Sequence, residues 1–273
     1  MAQKSNPNSF QKNIKGFNFS GNSLHSSEYS FLLKEYLTVS ANLTAFFEKN
    51  NCIVKDCLFT LSNEKSFITL FISFLVLKHP KSIKRNNSSS DKQTKISFVA
   101  QNFFSVLSKF GYLSSKRLVL QNLNKVALKH QKTFFSNENF QIKKELSFFN
   151  KEIYYEPGIL LFCLMNTTKN SSFLISKFVS RFFKVFHRTK KLNKFLSFLS
   201  KFVESSDLVG FKGQVKGLKI QISGRFRGDP RTQTKIFEKG RIPLQTISNN
   251  INYSLTHVHT SYGVFGIKVW IFE

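Results

Sequence analysis

Gly266-Ile267-Lys268-Val269-Trp270-Ile271-Phe272 is the stretch that decides how the last part of this chain folds. Ile267, Val269 and Ile271 alternate with Lys268, Trp270 and Phe272, the two-residue period of a strand. Both faces are apolar apart from Lys268, so the strand is expected at the centre of a sheet, with the end of the chain tied into it. Upstream, Leu218, Ile220 and Ile222 alternate with Lys219, Gln221 and Ser223, the pattern of a half-buried strand. Ser223-Gly224-Arg225-Phe226-Arg227-Gly228 then breaks it with glycines and arginines.

Before these strands comes a basic helical pattern. Lys177, Arg181, Lys184, Arg188 and Lys191 recur at steps of four, three, four and three, and on an α-helix they project from one stripe. Phe178, Val179, Phe182 and Phe186 fall on the other side. Such a stripe is either the solvated face of an amphipathic helix or a polyanion-binding surface, and the charge of the chain brings the two readings level. Leu192, Phe195 and Leu199 turn toward the stripe's side, which places a break or a second helix near Asn193.

Further upstream, Phe31, Leu32, Tyr36, Val39, Leu43 and Phe46-Phe47 predict a helix within Glu28–Lys49. Cys52–Leu61 and Ser66–Leu77, joined by Asn63-Glu64-Lys65, read as a β-hairpin. His79–Lys95 has almost no apolar content and reads as a solvated or RNA-contacting loop. Ile96–Phe110 follows as a helix stopped by Gly111, and Arg117–Leu123 as a strand. Ala127–Glu156 has no clean period and is expected to be a linker or insertion, with Pro157-Gly158 punctuating its end.

Composition narrows the function. The chain has 273 residues, enough for two packed domains, and 41% hydrophobic residues argue against wholesale disorder. Against this stands a formal net charge of +26, from 41 Lys+Arg and 15 Asp+Glu. No fold requires that excess. A polyanionic partner is its simplest explanation, and nucleic acid or an anionic membrane surface are the candidates. The 33 Phe, with abundant Lys, Asn and Ser, reflect an A/T-rich genome, so most Phe are expected in the core and not as base-stacking platforms. Cys52, Cys57 and Cys163 lack both disulfide and metal-knuckle spacing and read as buried apolar side chains. Phe67–Leu77 and Ile159–Met165 are too short to span a bilayer and read as strands or core helix turns. The start of the chain lacks acids until Glu28 but also lacks arginine, a poor transit peptide.

Four blocks together carry a family likeness: Lys216-Gly217-Leu218-Lys219-Ile220-Gln221-Ile222-Ser223-Gly224-Arg225, Gly240-Arg241-Ile242-Pro243-Leu244, Ile251-Asn252-Tyr253, and His259-Thr260-Ser261-Tyr262-Gly263-Val264-Phe265 running into the closing strand. In order and spacing they resemble the last quarter of the universal small-subunit ribosomal protein three family. Met1-Ala2-Gln3-Lys4 with Pro7-Asn8 resembles the family's start, which implies an uncleaved N-terminus and a gene inside an organelle.

The resemblance implies an α+β chain: a basic arm over 1–27, a degenerate type II KH-like domain over 28–126, a linker or insertion over 127–169, and a C-terminal domain over 170–273 with helices packed on a small, mostly antiparallel sheet. The family's Gly-x-x-Gly loop is missing between Glu28 and Leu123, where His79–Lys95 takes its place; Gly210-Phe211-Lys212-Gly213 reads as a flexible turn. Gln233 stands where the family has an arginine, while Arg231 is retained. Insertions around Ala127–Glu156 and Leu199–Phe211 point to a mitochondrial member, with a plastid one as the alternative.

The implied function is structural. The chain would bind small-subunit ribosomal RNA in the head of the subunit, beside neighbouring ribosomal proteins, and help form the channel through which messenger RNA enters. The implied RNA-binding residues are Lys177, Arg181, Lys184, Arg188, Lys191, Arg225, Arg227, Arg231 and Arg241. Arginine suits phosphate through its planar fork, and glycine neighbours let backbone approach RNA closely. No cofactor, metal, membrane insertion or catalytic residue is expected: the sequence holds no nucleophile–base order or phosphate-cradling glycine loop, and His257 and His259 lack a third ligand. The rivals are a free-standing basic RNA-binding factor, such as a chaperone or splicing helper, and a peripheral membrane-surface protein.

Overall fold

The computed structural model of the chain describes residues 6–7, 19–20, 26–49, 52–61, 67–76, 115–134, 140–167, 171–208 and 215–272. The chain divides into two units, residues 15–123 and residues 1–14 with 124–273.

The first unit is built from β1 (Phe19–Ser20), α1 (Ser26–Lys49), β2 (Cys52–Leu61), β3 (Phe67–Val76) and β4 (Ser115–Asn122). β2 and β3 are dense in β-branched and aromatic residues and pair antiparallel, with Phe59 opposite Leu70 and a register shift between Val54 and Asp56. β4 runs parallel to β3 and β1 parallel to β2, giving the order β1-β2-β3-β4. Leu43 and Phe47, one helical turn apart on α1, are buried, as are Cys52, Ile53, Val54 and Leu75. The hairpin and the strand near Arg117 thus form as their patterns require. His79–Lys95, the helix expected over Ile96–Phe110 and Gly210–Gly213 lie outside the described residues.

The second unit carries α2 (Leu123–Phe134, which starts at the last residue of the first unit), α3 (Phe140–Ser147), α4 (Tyr155–Thr167), α5 (Ser171–Phe186) and α6 (Lys191–Leu208). The strands β5 (Gly217–Gly224), β6 (Gln233–Gly240), β7 (Ile251–Thr260) and β8 (Gly263–Phe272) follow, with a single 3-10 turn, Phe226–Gly228, between β5 and β6. The sheet is antiparallel throughout, in the order β6-β5-β8-β7. β8 is central, as its two apolar faces demand. Phe265, Ile267, Val269 and Ile271 are buried on one face, while Trp270 on the other is covered beside Tyr253, whose ring centroid lies 5.4 Å away. Gly224 has no side chain because the Phe265 ring lies across it; a Cβ there would come within 2.2 Å of the ring.

α5 has two buried faces. Its small residues let it approach β7: Ser254 Oγ donates to the Ser172 carbonyl at 2.8 Å and Thr256 Oγ1 to that of Ser176 at 3.4 Å. Its phenylalanines meet α6 around Tyr154, whose ring is 4.9 Å from Phe198, 5.2 Å from Phe195, 5.9 Å from Phe186 and 6.2 Å from Phe182. Such ring pairs contribute about 0.5–1.5 kcal/mol each beyond the area they bury. Phenylalanine here is core, as the composition suggested. The Tyr154 hydroxyl, fully buried in this cluster, finds no hydrogen-bond partner among the described residues.

Three local expectations change. The stretch 127–169, expected as a linker or insertion, is helical over much of its length, and Leu146, Phe149 and Tyr154 in it are buried. Pro157-Gly158 does not end an element: both lie in the first turn of α4, where proline's missing N–H costs no helical hydrogen bond. Ile159–Met165 forms the core helix, and burial there pushes the Cys163 thiol up to about 12. The basic stripe, expected to run unbroken to Lys191, stops at Phe186; a break at 187–190 and a second helix from Lys191 follow, close to Asn193, where a break or second helix was expected. Thr189 folds back there, its backbone N–H at 2.9 Å and its hydroxyl at 3.0 Å both donating to the Phe186 carbonyl, which removes the acceptor that a continuing helix would use.

Candidate nucleic-acid interface

The expected basic residues all lie at or near the surface, but the fold groups only some of them. Lys177 and Arg181 are half-buried along α5, and Lys184 is exposed on its last turn. The Lys177 ammonium sits 5.7 Å from the Phe173 ring centroid. Arg188 stands in the turn after α5 and Lys191 is the first residue of α6, both exposed.

Arg188 meets a partner far along the sequence. The β7–β8 turn brings Ser261 against the end of α5, where Ser261 Oγ accepts from Arg188 Nε at 2.9 Å. His187 joins the same group. Its Nδ1 faces the Lys184 carbonyl at 2.8 Å, and since a carbonyl only accepts, Nδ1 carries the proton. Nε2 lies 3.2 Å from the Ser261 hydroxyl oxygen, within hydrogen-bond distance. Tyr262 meets the imidazole edge-on, with ring centroids 5.7 Å apart.

The same tyrosine borders the arginine turn after β5. A Cβ at Gly228 would come within 3.3 Å of the Tyr262 ring, and Gly228 holds φ at 84°, a conformation that favours glycine. Arg225 folds back across this turn: Nε donates to the Asp229 carbonyl at 2.8 Å and Nη2 to that of Gly228 at 3.4 Å. It therefore shapes the turn, while Arg227, at φ 55° and ψ 17°, is exposed. One corner of the unit thus gathers Arg188, from the turn after α5, with Arg225 and Arg227 of the turn after β5. The other expected residues are not gathered there. Lys177 lies roughly 14 Å along the helix axis from Phe186. Arg241 sits at the opposite end of β5, its carbonyl over Gly217, and Arg231 is exposed between the turn and β6.

Beside the corner is a cleft of about 230 Å³ lined by Leu192, Asn193, Phe226, Arg227, Asp229, Gln233 and Lys235. Lys235 Nζ lies 4.9 Å from the Phe226 ring centroid. The Phe226 ring is held edge-on by Phe183 at 5.9 Å and Phe265 at 5.4 Å. Sequence reasoning missed His187, Ser261 and Tyr262, and also the polar walls of this cleft. Only the unusual pairing of Arg-Phe-Arg with glycines hinted at a special turn.

What this surface does chemically is present cations and hydrogen-bond donors. His257 and His259 are exposed on β7, and among the described residues no three side chains are grouped to hold a metal ion. Nor is any helix among them long and apolar enough to cross a membrane.

Residues 202–271, from within α6 through nearly all of β8, match a protein-family profile described as ribosomal protein S3, C-terminal domain. This part of the chain belongs to the universal small-subunit ribosomal protein S3 family. Among S3 relatives, the small ribosomal subunit protein uS3 of Blochmanniella floridana is 48% identical over 58 residues, 21% of this chain and 25% of that protein. That of Phytoplasma australiense is 48% identical over 63 residues, 23% of this chain and 25% of the relative. The small ribosomal subunit protein uS3c of Guillardia theta is 44% identical over 62 residues, 23% of this chain and 29% of its own length. The aligned stretch therefore spans about a quarter of these relatives. The S3 match holds Arg225, Arg227, Arg231, Arg241 and the Ser261-Tyr262 turn, whereas α5 and its basic stripe precede it.

Proposed function

We propose that the chain is a structural constituent of the small ribosomal subunit, without enzymatic activity, that binds small-subunit ribosomal RNA. The observation that carries this reading is the S3 match over the sheet that holds the arginine turn. Lys177, Arg181, Lys184, Arg188, Lys191, Arg225, Arg227, Arg231 and Arg241 are the RNA-facing residues. Arg225 acts by fixing the turn; the others neutralise phosphate directly. Arg181, Lys184, Arg188 and Lys191 line the channel through which messenger RNA enters the subunit. Residues 28–126 form a degenerate KH-like domain, a reading supported by a helix, an antiparallel hairpin and a strand parallel to its second member. The subunit is that of a mitochondrial ribosome; the Guillardia theta relative, named uS3c, makes a plastid the alternative.

The test is sedimentation of the tagged protein from organelle lysate in ribosome-preserving salt. Co-migration with small-subunit RNA and monosomes, resistant to a moderate salt wash, supports the reading. A peak confined to the top of the gradient refutes it in favour of a free RNA-binding factor.

A further inference from the structure

The cleft over Phe226 contains more than phosphate binding needs. A surface that only neutralises phosphates uses cations, and a carboxylate in its wall works against it. Asp229 nonetheless stands in this wall. Its Oδ2 accepts from Gln233 Nε2 at 2.9 Å, which orients the carboxylate, while its other oxygen takes no hydrogen bond among the described residues. The floor is apolar, made by Leu192 and Phe226, both buried. The volume, about 230 Å³, falls below the roughly 300 Å³ at which pockets for drug-sized ligands begin, so it suits a single planar ring system.

Arg227 on the lip of this cleft supplies an independent sign. It is the one non-glycine residue with positive φ among the described residues, and no polar contact of its guanidinium falls among them. A side chain in the left-handed region strains the backbone, and such strain concentrates where a ligand is held.

We propose that this cleft receives one unstacked guanine of an RNA strand. The assignment rests on the RNA-binding reading above and extends it to one base. Guanine alone among the four bases places two adjacent donors, N1–H and N2–H, on its Watson–Crick edge, and a carboxylate accepts such a pair side by side. Asn193 supplies an amide donor for O6, Leu192 and Phe226 take the ring's apolar face, and Arg227 and Lys235 hold the flanking phosphates.

The test uses the full chain and fluorescein-labelled uridine decamers carrying one central guanosine, adenosine or inosine, or none, with binding read by anisotropy at fixed salt. The guanosine decamer should bind roughly ten-fold tighter than the adenosine one, within the range of a bidentate base-edge contact. Inosine, which lacks the N2 amine, should fall between. Asp229→Asn should abolish this preference and, by removing a negative charge beside the phosphates, bind the all-uridine decamer modestly tighter. Arg227→Gly should weaken binding to every decamer several-fold and yet raise the thermal midpoint, because glycine relieves the strained φ; a damaged fold would lower both. Equal affinity for guanosine and adenosine decamers, with the all-uridine decamer still bound, overturns the guanine site alone. Failure to bind any decamer overturns the RNA-binding reading itself.

Discussion

The Tyr154 hydroxyl lies inside a shell of phenylalanine rings without a hydrogen-bond partner among the described residues, so Tyr154→Phe is expected to stabilise the second unit. Leaving a buried hydroxyl unpaired costs about 1–3 kcal/mol, and the substitution removes that cost while keeping every ring contact. The expected gain is about 1 kcal/mol, near the lower end because the ring also sets the spacing of its neighbours. Tyr154→Ala is the contrast: it deletes the ring as well and should lose about 3–5 kcal/mol. The assay is urea unfolding followed by fluorescence of Trp270, the single tryptophan, which lies in β8 of the same unit and so reports on it. At about 1–3 kcal/mol per molar urea, the midpoint should rise by roughly 0.3–1 M.

The pH dependence supplies a second check. Burial, with the charge of Glu152 adding to it, pushes the Tyr154 hydroxyl's pKa well above its ordinary value of 10.0. Below that value the ring is neutral in both states and contributes no pH dependence. Above it the unfolded tyrosine releases its proton while the folded one keeps it, so the unfolded state binds fewer protons and stability falls as pH rises. Tyr154→Phe lacks that slope, so its advantage over the parent should widen from about pH 10 upward. A midpoint that drops by more than about 0.3 M in Tyr154→Phe would refute the reasoning, because the hydroxyl would then have a partner whose loss matters.

Gly224→Ala sets a Cβ against the Phe265 ring and should cost about 1–3 kcal/mol, read in the same urea titration. Ser261→Ala frees Arg188 and His187 from their shared hydroxyl; RNA affinity in filter binding should fall several-fold with little change in the unfolding midpoint, since all three groups lie toward solvent. Lys184→Gln should lower the slope of log affinity against log salt by about 0.7 if it contacts a single-stranded phosphate, and leave it unchanged if its face is merely solvated. The Cys163 thiol, buried and raised to about 12, should resist iodoacetamide at pH 8 in the folded protein and react once urea unfolds it, as peptide mass spectrometry would show.

The sheet was legible because its information is local. Ile267, Val269 and Ile271 against Trp270 and Phe272 require cover on both faces, and only an interior strand provides that. Leu218–Ile222 reads as a strand for the same reason, and so does the hairpin of β2 and β3. The phase change at Leu192 gave the end of α5 only to within a few residues, since no glycine or proline marks 187–190 and the stop depends on Thr189 bonding back to Phe186. The Tyr154 cluster was not legible, as its rings come from three separate segments with no common period. As for the site, the arginines were visible as residue types, but their grouping depends on a hydroxyl at Ser261, 73 residues from Arg188. The cleft joins Asn193 to Asp229 and Gln233 across about half that distance in the chain.

The strand order β6-β5-β8-β7 carries a consequence for how this sheet is made. β6 and β7 are consecutive in the chain yet occupy opposite edges, about 14 Å apart at the usual strand spacing, and residues 241–250 have to cross that width before a neighbour exists for β7. Of the sheet's three pairings only β5–β6 lacks β8, the last of the four to emerge during synthesis. While the chain is being translated, β7 therefore waits as an unpaired edge, and the sheet assembles by insertion of its final strand into a gap already framed on both sides. Long-range closure of this kind is slow and leaves strand edges exposed meanwhile. A chain bearing so much positive charge has a compensating feature in that interval, since like-charged nascent copies repel one another before the gap is filled.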